Sequence, residues 1–83
     1  MAVTGKHIAA ARALLGMTQQ QLADAVGIAK HTIIRFETEQ NVPRALTVKA
    51  LQDELERRGI EFQNSGDPGV RLFRSRAKTS ATP

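Results

Sequence analysis

Residues 18–37, TQQQLADAVGIAKHTIIRFE, constrain this chain more than any other stretch. Thr18 and Gln21 stand three positions apart, which is the spacing of a capping box, in which the hydroxyl accepts one free backbone N–H and the amide accepts another. This pair predicts a helix that begins at about Gln19. Gly27 can adopt the left-handed backbone conformation that ends such a helix. The stretch therefore predicts a short helix followed at once by a tight turn.

A second helix is predicted over Lys30–Glu37, directly after this turn. Ile33 and Phe36 are three positions apart and would share the inward face of that helix. The outward face would carry four other side chains: Lys30, His31, Ile34 and Arg35. Two short helices joined by a turn that contains glycine form a helix-turn-helix, whose second helix can enter the major groove of DNA. The alternative is a helical hairpin in a small bundle that binds no ligand.

The spacing of the small residue Ala23, the turn residue Gly27 and the apolar Ile33 resembles the helix-turn-helix of the phage repressor and Cro-like family, also called the XRE family. The resemblance extends from about Ile8 to Leu55. It also includes three polar positions that the family uses: Gln19 at the start of the first motif helix, Arg12 on the preceding helix, and Glu37 at the end of the recognition helix. The chain departs from the family at Ala29, where many members have a serine or threonine cap.

The rest of the first 58 residues fits the same four-helix domain. Helices are predicted over residues 6–15 and 45–58, because apolar residues recur on one face of each and a glycine follows each end. Residues 1–5 carry no pattern and are expected to fray. A polar loop over residues 38–44 joins the recognition helix to the last helix, and in related proteins this loop runs beside the DNA backbone.

The chain after residue 58 departs from the all-helical pattern of the family. Residues 60–63 and 70–73 alternate between apolar and polar side chains on either side of a segment rich in turn residues, which predicts a two-stranded β-hairpin over residues 59–73. Such a hairpin is marginal alone, so it either closes the helical core or pairs with a second chain. We favour dimerisation, through Ile60, Phe62, Val70, Leu72 and Phe73. Residues 74–83 form a basic tail that is expected to be disordered.

Composition limits the kinds of protein that the chain can be. Its 83 residues suffice for one small domain, and the absence of cysteine excludes disulfides and thiolate metal sites. The formal net charge of +4 favours a polyanionic partner. No apolar run is long enough to cross a membrane and no signal peptide is evident, which predicts a cytoplasmic protein. The family resemblance further implies nucleoid association and a prokaryotic or phage origin.

The resemblance also assigns roles to individual side chains. It implies base contacts by Lys30, His31 and Arg35, and Ile34 could touch a thymine methyl group. The alternatives are a phosphate contact for Lys30 and packing on the turn for His31. Contacts to the DNA backbone are expected from six residues: Thr18, Gln19, Thr32, Gln40, Asn41 and Arg44. Arg12 and Glu37 are expected to form a structural ion pair, and the alternative is a solvated Arg12.

These assignments predict a sequence-specific regulator of transcription that binds double-stranded DNA, most simply as a homodimeric repressor or autoregulator that reads an inverted repeat. The alternative is an antitoxin or adaptor that uses the hairpin to bind another protein. No enzymatic activity is expected, because His7 and His31 are not at ligand spacing and no glycine-rich phosphate loop follows a strand. No cofactor, metal or small-molecule ligand is expected.

Overall fold

A computed structural model of the chain describes residues 3–63 and 69–73. The described elements are four helices followed by two antiparallel strands: α1 (Gly5–Leu15), α2 (Gln19–Val26), α3 (Lys30–Glu37), α4 (Ala45–Arg57), β1 (Ile60–Gln63) and β2 (Gly69–Leu72). The predicted fold class, a four-helix repressor-like domain followed by a β-hairpin, is confirmed. The sequence predicts a loop over residues 64–69, but Gly69 belongs to β2 and pairs with Gln63. Residues 64–68 and the predicted disordered tail at 74–83 lie outside the described residues.

The boundaries of α2 follow from the local signals in the sequence. The Thr18 hydroxyl accepts from the backbone N–H of Gln21 at 3.0 Å, and the Gln21 side chain accepts from the backbone N–H of Thr18 at 2.9 Å. Gly27 ends the helix at a φ of 81°. Residues with a Cβ atom adopt this left-handed conformation only at a cost in free energy. This geometry fixes the direction in which the chain leaves α2 and enters α3.

The start of α1 corrects the expectation of fraying for residues 3–5, and residues 1 and 2 lie outside the described residues. Thr4 caps the helix, because its hydroxyl accepts from the backbone N–H of His7 and its own backbone N–H donates to His7 Nδ1 at 3.0 Å. Val3 is buried in the core, and the His7 ring meets the Phe62 ring edge to face. Histidine here fills the position that glutamate or glutamine usually occupies in a capping box, so the sequence pattern did not show it.

The core lies where all four helices meet the hairpin. Its buried apolar side chains come from every described element except β2: Val3, Ile8, Ala11, Leu22, Ala23, Ile33, Phe36, Leu51, Leu55, Ile60 and Phe62. Each large side chain that is removed from water contributes roughly 1.5–3 kcal/mol, so this cluster supplies most of the driving force for folding. Ala23 of α2 is fully buried, and α2 packs against both α3 and α4, which suits a small residue at this position.

The hairpin covers one side of this core. Ile60 pairs with Leu72 and Phe62 pairs with Val70, so all four side chains share one face of the ribbon, and that face packs on α1 and α4. The Ile60 and Phe62 side chains are buried within their own chain, where they help to close the helical core. Dimerisation through the edge of the hairpin stays a prediction.

Phe73 lies on the outer side of the hairpin, and it was also assigned to dimerisation. The guanidinium of Arg71 lies 4.5 Å from the centre of the Phe73 ring, and the Phe73 backbone N–H donates to the carbonyl of Gly59 at 2.7 Å. A cation over an aromatic face is attracted by the ring quadrupole. The half-buried ring of Phe73 is therefore covered in part by Arg71 of β2.

The last turn of α4 holds Arg57 and Arg58 by a local contact. Both guanidinium groups donate to Glu54 Oε2 at 2.6 Å. Burial of the carboxylate raises the pKa of Glu54, but the hydrogen bonds and charges of the two arginines outweigh this effect, and the net pKa lies below its ordinary value. These two cations are therefore compensated without DNA.

This cluster predicts a pH-dependent contribution to stability. Because the folded-state pKa of Glu54 is lowered, its stabilisation is present above a pH of about 4.5 and is lost as the pH falls through the folded-state value. We expect Glu54→Gln to lower the urea midpoint at pH 7 and to have a smaller effect at pH 3. Glu56→Gln, on the same helix, is the control, because Glu56 accepts only from Gln52 among the described residues. An unchanged deficit of Glu54→Gln at pH 3 would contradict the assignment.

Candidate nucleic-acid interface

The outward face of α3 carries exposed, positively charged side chains. Lys30, His31 and Arg35 are exposed, whereas Ile33 and Phe36 on the opposite face are buried and hold the helix against the core. Lys30 and Arg35 are five residues apart, which corresponds to about 7.5 Å along the helix axis. Neither the hairpin nor the other helices cover these three side chains, so α3 presents a ridge that can enter a groove.

The half-buried side chains on α3 flank this ridge. Ile34 lies one turn after Lys30, and Thr32 lies next to His31. Both keep part of their apolar surface accessible, which suits a contact with a thymine methyl group. The structure thus brings all predicted base-contact residues onto the one exposed side of α3.

The N-terminus of α3 has no side-chain cap. Ala29 occupies the N-cap position, and its side chain makes no hydrogen bond to the helix. The first N–H groups of a helix have no intrahelical acceptor, so without a cap they remain available to water or to an anion. The departure from the family pattern at Ala29 therefore leaves free donors at the end of the helix where Lys30 and His31 stand.

A network of partly buried hydrogen bonds ties α1 and α2 to the end of α3. Arg12 donates to both oxygens of Glu37, from Nε at 2.7 Å and from a terminal nitrogen at 2.8 Å, and its other terminal nitrogen donates to the carbonyl of Met17 at 2.8 Å. The hydrogen bond to Glu37 and its charge raise the pKa of Arg12, despite an opposing effect of burial. The Arg12 charge is thus fixed and fully paired.

Gln19 belongs to this same network. Its side-chain amide donates to Glu37 Oε1 at 3.0 Å, so the amide is engaged within the protein. A carboxamide NH₂ carries two donors, so the bond to Glu37 uses one of them, and the phosphate contact of Gln19 stays a prediction. The backbone N–H groups of Gln19 and Gln20, in the first turn of α2, still lack an intrahelical acceptor and keep that position open to an anion.

The loop after α3 folds back on the end of the helix. The backbone N–H groups of Gln40 and Asn41 both donate to the carbonyl of Arg35, at 2.8 and 3.2 Å. The Gln40 amide donates to the Thr38 hydroxyl, and Thr38 in turn donates to the carbonyl of Ile34 at 2.7 Å. These bonds hold the loop, with its exposed polar side chains, beside the exposed ridge.

Three cations of this surface are not compensated by a carboxylate. Lys30, Arg35 and Arg44 have no carboxylate within ion-pair distance in residues 3–63 and 69–73. Among the other cations in these ranges, Arg12, Lys49, Arg57 and Arg58 pair with carboxylates, whereas Lys6 and Arg71 do not, and Arg71 lies over the Phe73 ring. Uncompensated cations on one face leave a positive potential there, which favours a polyanion.

Glu39 directly precedes the polar residues of the loop, and its side chain lies on another side. It lines a cavity of about 430 Å³ together with Lys6, His7 and Val70, between the start of α1 and β2. Its backbone has a φ of 63°, which turns the chain at this point. The expectation that Glu39 points away from the DNA-facing loop agrees with this position.

Sequence reasoning missed one residue that positions α3. Gly5, at the start of α1, packs against the last turn of α3, where a Cβ atom would overlap the carbonyl oxygen of Phe36. The close approach is possible only without a side chain. Gly5 precedes the apolar pattern of α1, and nothing local in the sequence indicates a contact with a residue 31 positions later.

The described residues contain no cluster of histidine, cysteine, aspartate or glutamate that could hold a metal ion. Within the same residues, no helix has the length and apolarity that crossing a membrane requires.

Comparison with known proteins agrees with this geometry. A search of curated protein sequences found no match. A helix-turn-helix family model matches residues 8–62, which include α2, α3 and the turn at Gly27 between them. The chain therefore belongs to the XRE/Cro-cI-type helix-turn-helix family of DNA-binding transcriptional regulators.

Proposed function

We propose that this protein is a sequence-specific transcriptional regulator that binds double-stranded DNA in the major groove, as a homodimeric repressor or autoregulator of an inverted-repeat operator. One observation carries the proposal: the exposed ridge of α3 holds Lys30, His31 and Arg35 without compensating carboxylates, on a helix braced by the Glu37 network. Such a ridge suits the donor and acceptor pattern of base edges.

Base reading is proposed for the ridge. Arg35 and Lys30 can donate to O6 and N7 of guanine, and His31 can donate to or accept from a base edge at the start of the helix. Ile34 would contact a thymine methyl group. The side chains at the N-terminal end of a recognition helix reach deepest into the groove, so Lys30 and His31 would read the centre of each half-site.

Contacts with the DNA backbone are proposed to flank the ridge on both sides. Thr18 and the backbone N–H of Gln19 lie at the start of α2, and Thr32 lies on α3. Gln40, Asn41 and Arg44 lie in or directly after the loop. Contacts of this kind fix the register of the protein on the duplex without reading sequence.

A two-fold dimer would place two ridges in successive major grooves on one side of the DNA. Half-sites would then be separated by one helical turn, about 34–36 Å, and the operator would be an inverted repeat. Binding such an operator within a promoter would exclude RNA polymerase, which is the simplest route to repression.

Substitution of Arg35 and Arg44 separates base reading from backbone contact. The preferred site is first selected from a random duplex library. We expect Arg35→Ala to weaken binding to that site by roughly 1–3 kcal/mol and to relax the preference at one base pair. Arg44→Ala is expected to weaken matched and scrambled duplexes alike and to reduce the salt dependence by about one counterion. Fluorescence anisotropy titrations at two salt concentrations measure both effects.

The control is Arg57→Ala, because Arg57 is an exposed arginine that Glu54 already pairs. It should leave both affinities unchanged. If Arg35→Ala also left both affinities unchanged, α3 would not be the reading helix. If the parent protein failed to select any sequence, the proposed function itself would be wrong, and the protein-interaction alternative would gain support.

A further inference from the structure

One buried ionisable side chain has no part in the proposed DNA interface. His7, in the first turn of α1, has an exposed fraction of 4%. Within the part of the chain that the structure describes, no carboxylate forms an ion pair with it. Charges that are buried in proteins are paired, so a buried histidine without a carboxylate favours the neutral ring.

The hydrogen bonds of His7 require this neutral form. A backbone N–H can only donate, and that of Thr4 donates to His7 Nδ1 at 3.0 Å, so Nδ1 carries no proton. The Thr4 hydroxyl lies 2.9 Å from the same nitrogen. The proton of the neutral ring is therefore on Nε2, which is buried and has no hydrogen-bond partner among residues 3–63 and 69–73. We call Thr4 and His7, with these bonds, the α1 cap.

The α1 cap lies where α1 meets the hairpin and the recognition helix. The His7 ring meets the Phe62 ring of β1 edge to face, with ring centres 5.9 Å apart. Gly5, between the two residues of the cap, packs against the carbonyl of Phe36 in the last turn of α3. The position of the His7 ring therefore affects both the hairpin and the end of α3.

We propose that the α1 cap is a pH-sensitive switch, which opens when His7 binds a proton and then releases the start of α1 from the hairpin and from α3. A proton on Nδ1 removes the acceptor of the Thr4 backbone N–H and sets two N–H groups against each other. It also places a full charge in a buried site. Rotation of the ring into water relieves both effects, at the cost of its contact with Phe62.

The charged groups around His7 do not compensate such a proton. Lys6 and Glu39 line the same cavity as His7, and because they have opposite charges, their effects on a proton there oppose each other. On the hairpin, Glu61 and Arg71 are exposed on the face opposite Phe62. The other charged groups of the helices are paired or exposed: Arg12 with Glu37, Lys49 with Asp53, Glu54 with Arg57 and Arg58, and the exposed Lys30, His31, Arg35 and Glu56.

The closed cap gives stability a defined dependence on pH. Because it excludes a proton that an unfolded histidine binds, the unfolded chain binds more protons, and stability falls as the pH falls. At about pH 5.5, a histidine in an unfolded chain is protonated about ten times more often than it is neutral. The folding equilibrium constant is therefore expected to fall about tenfold through His7 between about pH 8 and about pH 5.5.

Urea unfolding at these two pH values tests the switch without DNA. His7→Gln is the test variant, because glutamine is a usual acceptor in a capping box and does not titrate. We expect the folding constant of the parent protein to fall about tenfold more than that of His7→Gln. His31→Gln, which removes the exposed histidine, is the control and should keep the pH dependence of the parent. Equal losses in the parent and in His7→Gln would overturn the proposal.

Nuclear magnetic resonance of the parent protein needs no variant. At about pH 8, the ring nitrogens of His7 are expected to show the proton on Nε2. On acidification, protonation of His7 should coincide with changes in the backbone signal of Thr4 and the ring signals of Phe62, whereas His31 titrates without them. A proton on Nδ1 at the higher pH, or protonation of His7 without changes at Thr4 and Phe62, would overturn the switch.

The effect of the switch on DNA binding rests on the proposed function. On the selected duplex at about pH 5.5, the parent protein is expected to bind severalfold more weakly than His7→Gln, because the open cap no longer holds the end of α3. His31 is present in both proteins, so its own protonation cancels in this comparison. Equal affinities would overturn the link from the cap to the recognition helix. If neither protein bound the duplex at any pH, the proposed function would be wrong, and the unfolding and resonance results would still decide the switch.

Discussion

Glu37→Leu is expected to destabilise the domain by about 3 kcal/mol, because it leaves the charge of Arg12 partly buried without a carboxylate. Glu37 has an exposed side-chain fraction of 6% and accepts hydrogen bonds from both Arg12 and Gln19. Loss of a proton cannot relieve this unpaired charge near neutral pH, because the ordinary pKa of a guanidinium lies far above that range even without Glu37. Arg12 itself is 18% exposed, so water offsets part of the loss, which places the effect at the low end of the usual range of about 3–5 kcal/mol.

A double-mutant cycle distinguishes the lost pair from lost packing. Arg12→Met should also cost a few kcal/mol, because it leaves the Glu37 carboxylate partly buried. The double variant Arg12→Met/Glu37→Leu should cost much less than the sum of the single changes, since no unpaired charge remains. Urea unfolding at low temperature, followed by circular dichroism, measures all four proteins. Additive effects, or a Glu37→Leu effect below about 1 kcal/mol, would show that the pair is not an energetic unit.

The helices of this fold were predictable because their signals are local. The capping box of Thr18 and Gln21, the glycine after α2 and the apolar spacing on α3 each lie within a few residues of the boundary that they set. The face of the hairpin was predictable for the same reason, from the alternation of Ile60 and Phe62 with polar residues. The destination of that face was not, because period-two alternation shows which side chains share a side and not what covers them.

The sequence predicted which residues belong to the exposed ridge of α3, but it did not predict which hydrogen bonds and ion pairs they form. The exposure of Lys30 and Arg35 followed from the inward positions of Ile33 and Phe36. Which cations are compensated depends on pairs formed in three dimensions, and so does the engagement of the Gln19 amide by Glu37. A spacing of 18 residues between those two positions leaves no periodic trace in the sequence.

The start of α1 is another feature that the sequence did not predict. Thr4 and His7 form a capping box in which an imidazole nitrogen replaces the usual carboxylate or amide oxygen. Rules that search for glutamate or glutamine do not detect it. Val3 and Gly5 then belong to the core and to a helix contact, although neither lies within a recognisable pattern.

Gly5→Ala is expected to destabilise the protein by about 3 kcal/mol and to weaken DNA binding through the position of α3. The added Cβ would overlap the carbonyl of Phe36 and lie 2.9 Å from the Cα of Glu37, and both atoms belong to backbone that cannot move as a side chain can. Alanine favours a helix over glycine by up to about 1 kcal/mol, so steric overlap must exceed this gain to produce the expected sign.

Urea unfolding of Gly5→Ala is compared with Lys6→Ala, a control in the same turn whose side chain is exposed. Lys6→Ala should change stability by less than about 0.5 kcal/mol. Stability and DNA affinity should fall together in Gly5→Ala, because the added Cβ atom displaces Phe36. Phe36 anchors the inward face of the recognition helix and directly precedes Glu37. Retained stability with full affinity would mean that α1 moves away from α3 at no cost, and the close contact at Gly5 would then not orient the recognition helix.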